Sequence, residues 1–252
     1  MPHQPIPPMQ PPGDHADELL AMVAHELRRP LTALLGALAT LQQRDQALSV
    51  AQQHELLGMA RRQGEQLQRL LGQLLAAAGG QRRQARLARR SLVDAAALAE
   101  EAGRAAGLAH PDHPITIEVA GPLLVRVDPL AVSRILGNLL DNGAAHSPRG
   151  TPIVLSAGRD GVHAVVAVHD DGPGIPPADR ERIFERYERL DQPTSSPGGG
   201  GLGLGLYIAQ RLARANHGEL QATDPPGRRG ARLELRLPLA TPSMPRTGDP
   251  GE

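Results

Sequence analysis

The chain has 252 residues, and its 27 basic and 27 acidic side chains give a formal net charge of zero. A balanced charge provides no field that would favour nucleic acid or an anionic membrane as a partner. Because the chain has no cysteine, disulfides, thiolate nucleophiles and cysteine metal sites are excluded. Every basic side chain is an arginine, so any protein cation that meets a phosphate here is a guanidinium.

The first 13 residues are rich in proline and lack the basic start and apolar run of a signal peptide. We expect them to form a disordered leader. No segment approaches the ~18 consecutive apolar residues that a membrane-spanning helix needs. We therefore expect a cytoplasmic protein with no direct membrane span.

A heptad pattern predicts two helices before residue 80. Apolar residues alternate at spacings of four and three, as in the seam of a helical bundle. Ser49 and Gln52 predict a capping box at the start of the second helix, and Gly79-Gly80 ends it. Two helices cannot enclose a core alone, so we expect a homodimer whose hairpins form a four-helix bundle. The seam positions are Leu20, Ala24, Leu27, Leu31, Leu34, Leu38 and Leu41, then Leu56, Ala60, Gln63, Leu67, Leu70 and Leu74.

Beyond the hairpin the pattern changes to mixed helices and strands, which predicts an α+β second domain. The predicted helices are residues 91–108, 129–146 and 202–215, and the predicted strands are residues 115–119, 123–128, 153–157, 162–169, 219–223 and 231–237. The resulting domains are a leader (1–13), a helical hairpin (14–80), a linker (81–90), an α+β domain (91–238) and a disordered tail (239–252).

His25 lies one position past the seam residue Ala24, so we expect its ring to face solvent. Glu26 is also off the seam and can hydrogen-bond one ring nitrogen, which would leave the other as a nucleophile. Pro30 cannot donate to the carbonyl of Glu26 and is expected to bend the helix. An exposed His-Glu pair on a helix is common, so its meaning depends on the rest of the chain.

Two polar blocks in the second domain carry groups that suit a nucleotide. Asn138 and Asn142 are one turn apart on a predicted helix, and their amide oxygens suit Mg²⁺ that bridges phosphates. Asp170 ends a predicted strand, where its carboxylate can accept a hydrogen bond from an adenine amino group. Gly172 and Gly174 would let the base approach the backbone. The alternatives are solvated asparagines and an ordinary tight turn.

Two further blocks follow. Residues 183–189 contain the only phenylalanine and one of two tyrosines, which suggests a packed hinge, although a plain helical turn is the alternative. Gly201, Gly203 and Gly205 precede a helix, whose N-terminal N–H groups can bind phosphates. A flexible linker is the alternative, but the glycines run directly into Tyr207, which favours the phosphate loop.

These four blocks, in this order behind His25-Glu26-Leu27-Arg28-Arg29-Pro30-Leu31, resemble the catalytic core of bacterial sensor histidine kinases over roughly residues 14–238. The resemblance implies an all-α dimerisation and phosphoacceptor hairpin, then a GHKL-type α+β ATP-binding sandwich. It implies transfer of the ATP γ-phosphate to His25, with Glu26 assisting proton removal. The phosphate would then pass to an aspartate in the receiver domain of a response regulator.

The resemblance also implies roles within the nucleotide site. Asn142 would hold Mg²⁺, Asp170 would read adenine, and Arg189 would approach the γ-phosphate. The residues that it assigns to binding ATP are Asn138, Asn142, His146, Asp170, Gly172, Gly174, Arg189, Gly201, Gly203 and Gly205.

Several positions depart from the family pattern. Ala145 and His146 stand where the family has a basic residue and an aromatic, so we expect adenine to stack on imidazole. Leu202 replaces a small hydroxyl residue, and Asn216-His217 replaces a typical His-Gly pair near the end of the last predicted helix. The departures at Ala145 and Leu202 support the alternative of a catalytically weak nucleotide-binding scaffold, or pseudokinase, that regulates a partner. An ATPase of the chaperone or topoisomerase kind would need a carboxylate at position 138 and no acceptor hairpin, and the sequence fits neither requirement.

Arg29 occupies the position of the threonine or asparagine that, in related kinases, orients water for dephosphorylating the regulator. We therefore expect weak or absent phosphatase activity. Only the short proline-rich leader lies ahead of the hairpin. We accordingly expect either a separate sensor protein to supply the input or a self-contained core.

Overall fold

The structure is a computed structural model that describes residues 14–43, 48–78, 90–190, 202–225, 227 and 229–240. Several predicted parts of the chain lie outside these residues, namely the leader, most of the linker, most of the tail, Gly79-Gly80 and Gly201. The chain divides into two compact units, residues 1–75 and 76–252. Within the described ranges, no helix is both long enough and apolar enough to cross a membrane.

The first unit contains two long helices, α1 (Asp14–Gln43) and α2 (Val50–Ala78). The predicted capping box is confirmed at the start of α2: the Ser49 backbone N–H donates to Oε1 of Gln52 at 2.9 Å, and the Gln52 N–H donates to Oγ of Ser49 at 3.3 Å. Helix α1 continues through Pro30, at the position that lacks a donor for the carbonyl of Glu26.

The buried face of α1 differs from the predicted seam. Among the α1 side chains that the structure describes, at residues 21 and 23–43, those buried in one chain are Glu26, Pro30 and Ala37. Seam positions that are exposed instead are Ala24, Leu31 and Leu38. The buried face is displaced by one residue, or about 100° around the helix. A bundle helix packs against more than one neighbour, so its apolar stripe is wider than the face that one hairpin covers.

The seam of α2 agrees better with the structure. Ala60 and Leu70 are buried, while Leu56, Leu67 and Leu74 are half-buried. The α2 seam therefore faces the interior of the single hairpin, whereas burial of the α1 seam in a four-helix bundle stays a prediction.

The second unit is an α+β sandwich. Its five-stranded sheet has the order β2-β4-β5-β7-β6, and its two-stranded sheet pairs β1 with β3. Strands β2 and β4 are parallel, and the other pairs in the larger sheet are antiparallel. The elements are β1 (Ser91–Asp94), α3 (Ala95–Ala109), β2 (Ile115–Val119), β3 (Leu124–Val127), α4 (Pro129–His146), β4 (Ile153–Asp160), β5 (His163–Asp170), α5 (Gly205–Ala215), β6 (Glu219–Thr223) and β7 (Ala231–Pro238), with 3₁₀ turns at Pro177–Asp179 and Arg182–Phe184.

The core lies between the three helices and one face of the larger sheet. Alternate strand residues point towards the helices, as the two-residue period of a strand requires. The fully buried side chains include Ile135, Leu136, Leu139, Leu140, Ile153, Leu155, Leu233, Leu235 and Leu237. This packing fixes α4 against the sheet and so determines which side of α4 carries its polar residues.

The prediction of one helix over residues 91–108 is wrong at its start. Residues 91–94 form β1, in which Ser91 pairs with Val127 of β3. Oδ1 of Asp94 accepts hydrogen bonds from the N–H groups of Ala96 at 2.9 Å and Leu123 at 2.8 Å. Asp94 therefore caps the N-terminus of α3 and lies outside the helix. A four-residue strand is too short to show alternation beside an alanine-rich helix.

Candidate active site

His25 is exposed on α1, as predicted, but its neighbour Glu26 is not. Glu26 is only 7 % exposed, and consecutive helix side chains diverge by about 100°. The prediction that both residues lie outside the hairpin interior is therefore wrong for Glu26. Its assistance in removing a proton from His25 stays a prediction.

Two arginines follow His25 after one helical turn. Arg28 and Arg29 occupy the i+3 and i+4 positions, and both side chains are exposed. Side chains at these spacings lie on the same face of a helix. The acceptor ring is thus accompanied by two guanidinium groups that can reach an anion placed there.

Asn138 and Asn142 of α4 have different surroundings. Nδ2 of Asn138 donates to the carbonyl of Gly205 at 3.0 Å, which ties α4 to the first residue of α5. Asn142 is half-buried, and its amide makes no hydrogen bond within the described part of the chain. The Asn142 oxygen therefore fits a cation ligand, whereas Asn138 holds two helices together.

Asp170 ends β5 and is 3 % exposed. Its Oδ1 accepts hydrogen bonds from the backbone N–H groups of Gly172 at 2.8 Å and Ala231 at 3.4 Å. Its Oδ2 accepts none from the described residues. Burial raises the pKa of Asp170, and the two backbone hydrogen bonds oppose that rise. One oxygen is thus held by the protein, and the other can accept a hydrogen bond from a neutral ligand amine.

The backbone beside Asp170 leaves room that a side chain would fill. A Cβ on Gly172 would lie 2.7 Å from Oδ1 of Asp170 and 3.0 Å from the carbonyl oxygen of His146. Gly174 has a φ of +82°, and its Cβ would lie 3.0 Å from the carbonyl oxygen of Gly230. Only glycine keeps this edge open and adopts this backbone without strain. The arrangement fits a flat base that approaches the backbone closely.

His146, at the end of α4, shares this environment. Burial lowers the pKa of its imidazole, the Asp170 carboxylate raises it, and the Arg189 guanidinium lowers it further. Asp170 and Arg189 are therefore both close enough to His146 to act on the charge of its imidazole. A half-buried imidazole that is neutral at pH 7 fits the predicted stacking on adenine.

The predicted phosphate loop packs against the segment that contains Phe184. The N–H of Tyr187 donates to the carbonyl of Gly203 at 3.0 Å. Gly203 has a φ of +63°, and a Cβ there would lie 2.7 Å from the carbonyl oxygen of Glu188. Leu202 and Leu204 are fully buried. Core packing therefore explains Leu202, which occupies the family's hydroxyl position.

One contributor to the site, the Ala231 N–H, carried no sequence signal, and the structure explains Asn216, a departure from the family pattern outside the site. The N–H of Ala231 reaches Asp170 only because β7 pairs with β5 in the observed register. Asn216, which is buried, accepts a hydrogen bond on Oδ1 from the Asp128 N–H at 2.8 Å and donates from Nδ2 to the carbonyl of Leu212 at 2.9 Å. Asn216 thereby joins the end of α5 to the start of α4. Such contacts depend on tertiary structure.

Two domain models match the chain. The model of the His Kinase A (phospho-acceptor) domain matches residues 16–80, and that of the histidine kinase-, DNA gyrase B-, and HSP90-like ATPase matches residues 127–241. The chain belongs to the sensor histidine kinases. The matched ranges contain His25 in the first domain and Asn138, Asp170 and Gly203 in the second.

Individual relatives agree with this assignment. The adaptive-response sensory kinase SasA of Synechococcus sp. (strain JA-2-3B'a(2-13)) is 32 % identical over 235 residues, which cover 90 % of this chain and 60 % of SasA. Full-length ShkA in complex with AMPPNP has a TM-score of 0.59 at 27 % identity, covering 89 % of this chain and 46 % of ShkA. The mycobacterial sensor histidine kinase MprB has a TM-score of 0.52 at 29 % identity, covering 60 % of this chain and 97 % of the solved MprB chain.

These likenesses confirm the predicted fold class, a helical hairpin followed by an α+β ATPase domain. They give no support to the scaffold alternative. The chain spans about 60 % of the length of SasA, so its sensing and signalling roles are matters for proposal.

Proposed function

We propose that this histidine kinase phosphorylates His25 from ATP and passes the phosphate to an aspartate in the receiver domain of a response regulator. The observation that carries the proposal is an exposed histidine on α1 in a chain that also holds the Asp170 and glycine arrangement. A neutral ring nitrogen of His25 would attack the γ-phosphorus while ADP leaves. Catalysis of this kind depends on positioning and charge neutralisation.

The nucleotide site proposed for ATP combines the residues described above. Asp170 would accept a hydrogen bond from the adenine amino group, and His146 would stack on the base. Gly203 and Gly205 would offer backbone N–H groups to the phosphates, and Arg189 would approach the γ-phosphate. Mg²⁺, held by Asn142, would neutralise phosphate charge. The resemblance adds Gly201, which lies outside the described residues, to the phosphate loop.

A homodimer is part of the proposal, because one hairpin leaves a large apolar surface uncovered. Leu31, Leu35 and Leu38 of α1 recur at spacings of four and three and are all exposed. Exposed large apolar side chains also occur on α2, namely Leu57, Leu71 and Leu75. A second hairpin that covered these stripes would complete a four-helix bundle.

The remaining roles rest on the family and on composition. We propose that the protein acts in the cytoplasm, where ATP and response regulators are available. The zero net charge supports a protein partner over nucleic acid. The domain boundaries at residues 80 and 91 stay a prediction.

The test is incubation with γ-labelled ATP and Mg²⁺, followed by denaturing electrophoresis. We expect an acid-labile, base-stable label that is lost in the His25→Gln variant. His54→Gln is the matched control, because His54 is an exposed histidine on the other helix of the same hairpin. That variant should retain the label.

A label that survives in His25→Gln would overturn the assignment of His25. No label in the wild type, despite ATP binding by calorimetry, would favour the scaffold alternative. Transfer is tested next by adding purified receiver domains to the labelled kinase. Label should then move to a receiver domain and become base-labile.

A further inference from the structure

The imidazole of His169 is buried beside Asp170 and has no role in the proposed chemistry. His169 is 6 % exposed and immediately precedes Asp170 on β5, so the two side chains project from opposite faces of the sheet. Nδ1 of His169 lies 3.0 Å from the carbonyl oxygen of Ala231. Because a carbonyl can only accept, Nδ1 carries the proton and donates it.

The other ring nitrogen makes this histidine costly as a packing residue. Nε2 of His169 is buried and has no hydrogen-bond partner among the described residues. The nearest charged atom recorded for it is Oδ1 of Asp171, at 3.7 Å. A buried, unpaired polar atom is unfavourable, so an apolar side chain would serve packing better. The donor at Nδ1 is therefore the feature that the position needs.

Ala231 connects His169 to Asp170. Its carbonyl accepts from Nδ1 of His169, and its N–H donates to Oδ1 of Asp170 at 3.4 Å. A hydrogen bond that long weakens quickly if its donor moves away. Gly230 allows the close approach, because a Cβ there would lie 1.7 Å from the carbonyl oxygen of Asp170. The imidazole of His169 thus holds in place the backbone at Ala231, which in turn orients the Asp170 carboxylate.

We infer that His169 is a positioning residue for base recognition, acting through Ala231 on the carboxylate of Asp170. The inference rests on the proposed role of Asp170 in binding the adenine amino group. Without the Nδ1 donor, the first residues of β7 lose one attachment to β5 and the Asp170 carboxylate loses a fixed orientation. Affinity should fall for ligands that use the carboxylate and stay unchanged for ligands that do not.

The experiment compares three variants with two nucleotides. His169→Asn places an amide N–H where Nδ1 was, His169→Gln moves the amide to the position of Nε2, and His169→Leu removes the donor. The nucleotides are ATP and purine riboside triphosphate, which lacks the 6-amino group. Dissociation constants are measured by calorimetry on the full chain, and thermal unfolding is recorded for each variant.

We expect His169→Leu and His169→Gln to bind ATP about tenfold more weakly, as the loss of one hydrogen bond predicts. Their affinity for purine riboside triphosphate should not change, and His169→Asn should bind ATP like the wild type. An equal loss for both nucleotides would show that His169 only packs, and it would overturn the inference. Unchanged ATP binding in His169→Leu, or failure of His169→Asn to restore it, would do the same.

The wild type separates this inference from the proposed function. If the wild type binds ATP and purine riboside triphosphate equally, Asp170 does not read the amino group, and the inference about His169 falls with that role. If the wild type prefers ATP to purine riboside triphosphate and the His169 variants show the same preference, the role of Asp170 stands and the role of His169 is rejected.

Discussion

The two units of the chain differ in how completely one copy buries its apolar side chains. In the described part of the hairpin, the buried apolar side chains are Pro30, Ala37, Ala60 and Leu70, while leucines of both helices face outwards. In the second unit, strands and helices enclose a continuous core of fully buried leucine, isoleucine and valine. The ATP-binding unit therefore buries its core within one chain, whereas the hairpin leaves apolar side chains that the proposed homodimer would cover.

The largest effect expected to test this contrast comes from placing a charge among the exposed α1 leucines, Leu31, Leu35 and Leu38. Leu35 is 56 % exposed in one chain, and we expect Leu35→Glu to weaken dimerisation by more than about 100-fold, because two carboxylates would be buried across the bundle. Analytical ultracentrifugation measures the dimer dissociation constant. ATP binding by the second unit should be unchanged.

The matched control lies in the second unit. Leu108 on α3 is 87 % exposed but stands among the small residues of α3, outside any leucine stripe. Leu108→Glu should leave the dimer intact. If Leu35→Glu stays dimeric, the exposed stripe is not the dimer interface, and the four-helix bundle must be abandoned.

The sequence predicted best where local chemistry decides the structure. Ser49 and Gln52 satisfy each other's backbone N–H groups across one helical turn, so the capping box could be read directly. The sequence predicted poorly where hydrogen-bond partners are far apart along the chain. Asp94 falls inside the helix predicted over residues 91–108, because one of its two donors, the Leu123 N–H, is 29 residues away and leaves no local signal.

In the nucleotide site, too, contacts between residues close in sequence could be predicted and contacts between distant residues could not. Asp170 and Gly172 are two residues apart, and their contact follows from a tight turn that the sequence shows. The contact between Asp170 and Ala231 joins residues 61 positions apart and depends on strand register. Glu26 was misplaced for a related reason. The heptad pattern alone did not specify which part of the apolar stripe the hairpin covers.

The next largest effect concerns the folding free energy that is lost by burying the Asp170 carboxylate in the second unit. Burial raises the pKa of Asp170, so the folded protein holds this proton more tightly than the unfolded chain, whose Asp pKa is about 3.9. As pH rises from the unfolded-state pKa to the folded-state pKa of Asp170, the free energy of unfolding falls. Above the folded-state pKa, the full destabilisation caused by burying the carboxylate remains. We expect Asp170→Asn to raise the free energy of unfolding at pH 7 by on the order of 1 kcal/mol.

Chemical denaturation at pH 7 and at acid pH measures this difference. The gain from Asp170→Asn should shrink as pH falls through the folded pKa, because the wild-type carboxyl is then neutral. The exposed Asp112 is the control, and Asp112→Asn should change stability little at either pH. A destabilised Asp170→Asn variant at pH 7 would mean that the two backbone hydrogen bonds outweigh desolvation. ATP affinity should fall in this variant, so stability and binding would move in opposite directions.

The smallest expected effect belongs to the acceptor helix. Arg29 is exposed at the i+4 position from His25, and the family resemblance implies a small polar residue that orients water at this position. We expect Arg29→Thr to speed loss of phosphate from a receiver domain that this kinase has phosphorylated, by roughly threefold, because a positioned water replaces a bulky cation. The measurement follows the labelled receiver domain after ATP is removed.

This change should be confined to the hairpin. ATP affinity should not differ between Arg29→Thr and the wild type, since the nucleotide residues belong to the other unit. Arg69→Thr, which removes an exposed arginine from α2, should leave the rate of phosphate loss unchanged. Dephosphorylation that requires ADP would be reversal of phosphotransfer and must be excluded by an ADP trap. Rapid, ADP-independent phosphate loss in the wild type would show that Arg29 does not suppress phosphatase activity, because water then reaches the receiver phosphate despite the guanidinium.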